Sequence, residues 1–198
     1  METITLHINW NAMRDQAYSN ATKHGFHDKA ESVEHDLCLV LTELGEAVNA
    51  DRSGLRANKA EFLEKYIWDR TEKYQRQHWR YGFERLIKDT LEDELADAII
   101  RLLDLCGYLQ IDLSDSEMDF YMEDERQISS VFQKKTFAER IWSVMSPFFY
   151  NDPYSATLPR AIARLWILAH DKGVDIYTHL ELKMKYNEMR PMLHGKKY

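Results

Sequence analysis

Two pairs of carboxylates carry the chemistry that this sequence could perform. Glu43-Leu-Gly-Glu46 and Glu94-Leu-Ala-Asp97 each place two acids three residues apart, which on a helix puts them on one face with Cβ atoms roughly 5 to 6 Å apart. Brought together from two helices, four such groups would supply the hard oxygen ligands that magnesium prefers, leaving positions for water and phosphate oxygens. Spacing alone does not single them out. Glu31/Glu34, Glu61/Glu64, Asp69/Glu72 and Asp89/Glu92 share it, and by that measure every pair reads equally well as a solvated helix face. The setting of the chosen pairs is what differs: each lies inside a long apolar pattern, flanked by small residues (Gly45, Ala47; Ala96, Ala98) that admit a close neighbour. A carboxylate buried without a partner is costly, so a cation is expected beside them. Past Asp97 the same face continues through Arg101 and Asp104 at helical steps.

Other site chemistries fit less well. A ferritin-like di-iron bundle needs Glu-x-x-His on its helices, and that spacing does not occur. His24 and His27 fall in an expected turn rather than at zinc-ligand spacing on a helix. There is no glycine-rich phosphate loop, so any phosphate must be held by a metal and by side chains. Cys38 and Cys106 sit inside apolar patterns without ligand spacing and read as small core residues in a reducing compartment.

The elements that must position the acids are helices. Leu37, Leu41, Leu44 and Val48 form one stripe between about Ala30 and Ala50, ended by Asp51-Arg52-Ser53-Gly54. Leu91, Leu95, Ala98, Leu102, Leu105 and Leu109 form another over 88–110. A first helix is expected over 10–24, followed by a turn at HGFHD (24–28) that brings Phe26 near the next element. The charged, aromatic residues of about 53–87 form a helical excursion. An acidic stretch (115–126) precedes two further helices, FAERIWSVMSPFF with Pro147 near its end and LPRAIARLWILAHDKG with Pro159 in the first turn and Gly173 as cap. A last helix runs from about Ile176 to Arg190 and stops at Pro191. AIIRLLDLCGYLQIDL (98–113) aligns without a gap on AIARLWILAHDKGVDI (161–176), with Thr157 and Arg160 standing where Glu94 and Asp97 stood. The match reads either as a degenerate second half at about 127–176 or as convergence of two amphipathic helices.

Composition agrees with one all-α domain over 1–198. A chain of 198 residues buries a core without staples, and 7 Gly with 4 Pro are too few for the frequent turns of an all-β sandwich. A net charge of −7 argues against a nucleic-acid partner, which would call for clustered Lys and Arg. No run approaches the roughly 18 apolar residues of a membrane span, and METITLHINW lacks a leader pattern, so a cytoplasmic location is expected. The extent of the apolar stripes favours a homodimer or higher homo-oligomer.

Taken together, HGFHD, LVLTELGEAVNADR, EDELADAIIRLLDLCGYLQIDL and ELKMKYNEMRPMLHGKKY resemble the MazG-like, all-α nucleoside triphosphate pyrophosphohydrolases. The family's ExxE helix and ExxD helix match Glu43, Glu46, Glu94 and Asp97, and its closing Lys/Asn/Arg pattern matches Lys183, Asn187 and Arg190. The resemblance implies a MazG-like bundle, a four-helix core with additional helices, that cleaves a nucleoside triphosphate between the α and β phosphates, giving a monophosphate and pyrophosphate in a nucleotide-pool, house-cleaning role. Mg2+ would be the cofactor, with Mn2+ as substitute. Two departures stand out: the acidic motifs lie further apart than in the family, through residues 52–90, and 114–175 separate the ExxD helix from the Lys/Asn/Arg helix. The internal match is similar to the internally duplicated, dimeric dUTPase-like branch. In this reading Glu43, Glu46, Glu94 and Asp97 are both metal ligands and catalytic groups, with Glu46 as base. Lys183, Asn187 and Arg190 grip phosphate or sugar, while Trp10, Phe26 and Trp79 are stacking candidates for a base. The alternative is a catalytically silent helical nucleotide-binding or regulatory module of the same fold.

Overall fold

Capping side chains cut the chain where its periodicity breaks. Asn9, Ser32, Asn58, Thr90, Thr136 and Asp175 each accept a hydrogen bond from the backbone N–H three residues on, worth about 1 kcal/mol per helix start. The computed structural model describes residues 8–66, 73–132, 134–150 and 152–197. Among them the chain forms helices α1 (Trp10–Lys23), α2 (Val33–Ser53), α3 (Lys59–Lys65), α4 (Lys73–Leu86), α5 (Leu91–Tyr108), α6 (Asp115–Phe132), α7 (Phe137–Met145), α8 (Tyr154–Asp171) and α9 (Ile176–Asn187), and no strand. Short 3-10 turns cover Ser146–Phe149 and Met192–Gly195. The all-α expectation holds, and no described helix is long and apolar enough to cross a membrane.

α5 is the axis of the fold. Its buried residues run from Leu91 to Cys106 around almost the whole circumference, the signature of a helix enclosed on all sides. α1, α2, α8 and α9 pack against it, α6 lies along α8, and α7 reaches both α2 and α8. Gly107 lets α1 approach closely, since a Cβ there would stand 2.6 Å from Tyr18 Cβ. One large core joins these helices. A second, aromatic core is formed by Phe62, Tyr66, Trp79, Phe83 and Ile87 with Leu182 and Tyr186 of α9, so the excursion over 53–87 is a pair of helices docked on α9. Residues 67–72 of that excursion lie outside the described residues.

Several boundaries differ from expectation for identifiable reasons. α2 begins at Val33, after the Ser32 cap, and its buried stripe is Leu37, Val40, Leu44, Ala47 and Ala50, rotated from the expected one, with Leu41 and Val48 half-buried. The acidic stretch 115–126 is helical: Met118, Tyr121, Met122 and Glu125 are its buried face, and the acid in that face interrupts the apolar period. Pro159 falls at the sixth residue of α8 rather than in its first turn, because the helix starts at Tyr154. α9 ends at Asn187, three residues short of Arg190. Cys106 is buried, but Cys38 is exposed rather than a core residue.

Candidate functional site

Three of the four expected acids gather. Glu43 and Glu46 on α2 and Glu94 on α5 each offer an oxygen atom, all within 4.8 Å of one another. α5 presents Glu92, Asp93 and Glu94 in its first turn, where the helix dipole favours negative charge. Glu43 and Glu94 are buried, and Glu46 opens to solvent. Asp89 and Asp93 extend the cluster, their oxygens also lying within 4.8 Å of a Glu94 oxygen. Glu92 faces away to receive the Arg56 Nε at 2.6 Å and the Ala57 N–H at 2.9 Å, anchoring the 54–58 turn.

Three cations built into the chain border these acids. Lys183 of α9, almost fully buried, donates to Asp93 Oδ2 at 2.8 Å and lies 3.1 Å from Asp97 Oδ2. Arg101 donates from Nε to Glu43 Oε1 at 2.7 Å. Arg190 packs against Tyr186 with its guanidinium 5.8 Å from the ring centre, and its groups reach Asn187 Oδ1 and the His194 carbonyl at 3.5 and 3.4 Å. Lys183, expected to grip phosphate, is therefore the counter-ion of Asp93 and Asp97. Asp97 in turn is drawn toward Lys183 and stands apart from the three clustered glutamates.

The electrostatics follow from this split. Burial, reinforced by Asp93, pushes the Glu94 carboxyl up to about 9, and burial beside Asp97 raises Glu43 as well. Burial also raises Asp93 in spite of its ammonium partner, and Asp93 Oδ1 has no hydrogen-bond partner. Burial opposes ionisation of Asp97, but Lys183 and Arg101 overcome it and hold its carboxyl at about 2. A concentration of oxygen donors whose negative charge the chain only partly offsets suits a divalent cation. Glu43, Glu46 and Glu94 are the residues that would hold it.

Beside Asp97 lies a cleft of about 250 Å³, just below the roughly 300–1,000 Å³ usual for small-molecule sites. Asp97, Arg101 and Asp104 of α5 form its floor, with Asp36 of α2, Asn187 of α9, Phe26, and Leu193 and His194 after α9 among its walls. Phe26 and His194 meet edge to face with centroids 4.9 Å apart. Leu193 and His194 both occupy the left-handed region, φ 47° and 51°, a strained state for non-glycine residues, and the Leu193 N–H donates to the His24 carbonyl at 2.8 Å. Burial, helped by Arg190, lowers the His194 imidazole to about 3. His27 pairs with Asp104 at 2.8 Å, and that hydrogen bond raises the His27 imidazole.

Of the aromatic candidates, only Phe26 reaches the cleft. Trp10 is a core residue, edge-on to Trp166 at 4.9 Å, and Trp79 belongs to the second aromatic core. Sequence reading missed Asp93, Asp36 and the His27–Asp104 pair as site residues. Arg101 and Asp104 did carry a signal, since they continue the face of α5 beyond Asp97 at successive steps of four and three. Asp93 carried none, because its partner lies 90 residues away. Comparison with known proteins gives no match: no family model, curated relative or solved structure aligns significantly with the chain.

Proposed function

We propose that the chain is a magnesium-dependent nucleoside triphosphate pyrophosphohydrolase, releasing a nucleoside monophosphate and pyrophosphate. The observation that carries the reading is the convergence of Glu43, Glu46 and Glu94 from two helices within 4.8 Å, next along α5 to Asp97 and Arg101, which line the cleft. A divalent cation held there would neutralise polyphosphate charge and acidify a bound water. Glu46, the exposed member, accepts the proton of the attacking water. Lys183 fixes the Asp97 carboxylate and keeps it ionised, and Arg101 orients one Glu43 oxygen. Asn187 and Arg190 bind sugar or phosphate oxygens at the cleft end of α9. Phe26 gives the base an aromatic wall.

One observation favours the rival reading, a silent nucleotide-binding module: Lys183 and Arg101 already engage Asp97 and Glu43. Substitution distinguishes the two. Glu43→Gln and Glu94→Gln are expected to lower turnover of a responsive nucleotide at least a thousandfold while helicity by circular dichroism is retained. Tight nucleotide binding without Mg2+-dependent cleavage in the parent chain would select the silent module.

A further inference from the structure

We infer that the end of the cleft remote from Glu94 reads the nucleobase through the carboxylates of Asp36 and Asp104, selecting bases with an exocyclic amino group, cytosine foremost, over uracil and thymine. The inference rests on the proposal that the α2–α5 acids hold the cation of a triphosphate, and it names the substrate class of that site. Distance along α5 decides which part of the nucleotide arrives here. Asp104 follows Glu94 on the same helix, about 15 Å further along its axis at 1.5 Å per residue. Phosphate and sugar fill that interval, which leaves the base for Asp104 and for Asp36 of α2 across the cleft. Phe26, on the same lining, offers the ring face for stacking.

Asp104 is held in place with one oxygen to spare. Its Oδ1 accepts from His27 Nε2 at 2.8 Å, and the His27 ring packs on Tyr108, stacked at 5.3 Å, and on Tyr18 at 4.9 Å. No donor among the described residues reaches Asp104 Oδ2 or either oxygen of Asp36. Asp36 is half-buried, and burial together with the charge of Asp104 raises its carboxyl above the ordinary value. A pair of acids serving only the fold closes on its cations, as Glu125 does in taking two bonds from Arg164 at 2.7 Å. Asp36 does not. The basic groups of the lining are turned elsewhere: Arg101 Nε donates to Glu43, and Lys29 and Lys197 are exposed. This end of the cleft therefore presents chiefly oxygen lone pairs to a ligand.

An ionised carboxylate accepts hydrogen bonds and cannot donate one. Cytosine and adenine carry an amino donor on the edge where thymine, and uracil like it, carries the O4 acceptor, and a carboxylate is the natural partner of the cytosine amino group. That group has two hydrogens, enough to serve Asp36 and Asp104 together. A carbonyl in the same place meets two carboxylates and leaves all three without a donor. A site built to bond an N–H rejects the analogue that lacks it far more strongly than a pocket rejects a missing methylene. The discrimination thus comes from acceptors left unmatched.

The test reads binding rather than turnover. The α,β-imido analogues of dCTP and dUTP, which resist cleavage between those phosphates, are titrated into the full chain with Mg2+ at pH 8 by isothermal calorimetry. The cytosine analogue is expected to bind about tenfold more tightly or better. Asp36→Asn exchanges one acceptor oxygen for an N–H donor and is expected to bring the two affinities within about threefold, by weakening the cytosine analogue and improving the uracil one. Equal affinities in the parent chain, tighter binding of the uracil analogue, no binding of either, or a ratio untouched by Asp36→Asn overturns the inference. Cytosine-selective binding by a chain that cleaves no triphosphate sinks the proposed activity and leaves this inference standing. Cleavage of dUTP as fast as dCTP, with equal analogue affinities, does the reverse.

Discussion

Replacing Lys183 by methionine removes one buried ammonium and leaves two carboxylates, Asp93 and Asp97, without their counter-ion. Lys183 Nζ sits 2.8 Å from one and 3.1 Å from the other, and the exposed fractions of the three side chains are 5 %, 1 % and 13 %. Stranding a buried charge in this way costs about 3–5 kcal/mol. Asp97 alone, held at about 2 against an ordinary 3.8, accounts for about 2 kcal/mol of that at neutral pH. Its folded value is depressed, so its contribution is present above pH 3.8 and is lost as pH falls through 2. In Lys183→Met that contribution disappears, and both acids can relieve the strain by binding protons. The deficit should therefore be large near neutral pH and shrink in acid. Urea denaturation in EDTA at pH 7.5 and 4.5 measures it: the expected loss is about 3–5 kcal/mol at the higher pH and clearly less at the lower. A loss below about 1 kcal/mol, the range of exposed pairs, or one equal at both values would refute the assignment of Lys183 as counter-ion.

Gly107→Ala should destabilise the chain by about 1–3 kcal/mol in thermal denaturation, because a new methyl meets Tyr18 Cβ at 2.6 Å and overpacking outweighs alanine's better helix propensity. Asp104→Asn tests the His27 pair. The His27 imidazole is raised by its bond to Asp104, so the stability it brings is complete below pH 6.5 and fades as pH rises through the folded value; the substitution should cost about 1 kcal/mol at pH 6 and little at pH 9. Thiol labelling of the native chain should modify Cys38 quickly and leave Cys106 intact, since Cys38 is exposed while burial pushes the Cys106 thiol up to about 12; equal rates would contradict the packing of α5.

Helix placement was legible wherever a stripe was continuous, as along α5, and blurred where a charge sat in the stripe, as at Glu125 of α6. The meeting of Glu43, Glu46 and Glu94 followed from carboxylates three apart, with Ala47, Ala96 and Ala98 buried between the helices; Gly45, also expected to admit a close neighbour, instead faces open space. What sequence could not supply was the pairing of distant charges. A lysine near the end of a basic helix looks free to bind phosphate until α9 is seen against α5, where Lys183 meets Asp93 and Asp97. Trp10 failed as a stacking residue for a similar reason: Trp166, its edge-on partner, arrives 156 positions later in the chain. The cleft wall formed by Leu193 and His194 depends on two left-handed residues, which neither residue type announces.

Phosphorus-31 resonance spectra of the chain mixed with canonical and modified nucleoside triphosphates bear most directly on the proposed activity. With Mg2+ present, at least one nucleotide should lose its three triphosphate signals to a monophosphate and pyrophosphate, and EDTA should stop the change. A diphosphate with inorganic phosphate as products, or triphosphates intact across the panel, would contradict it.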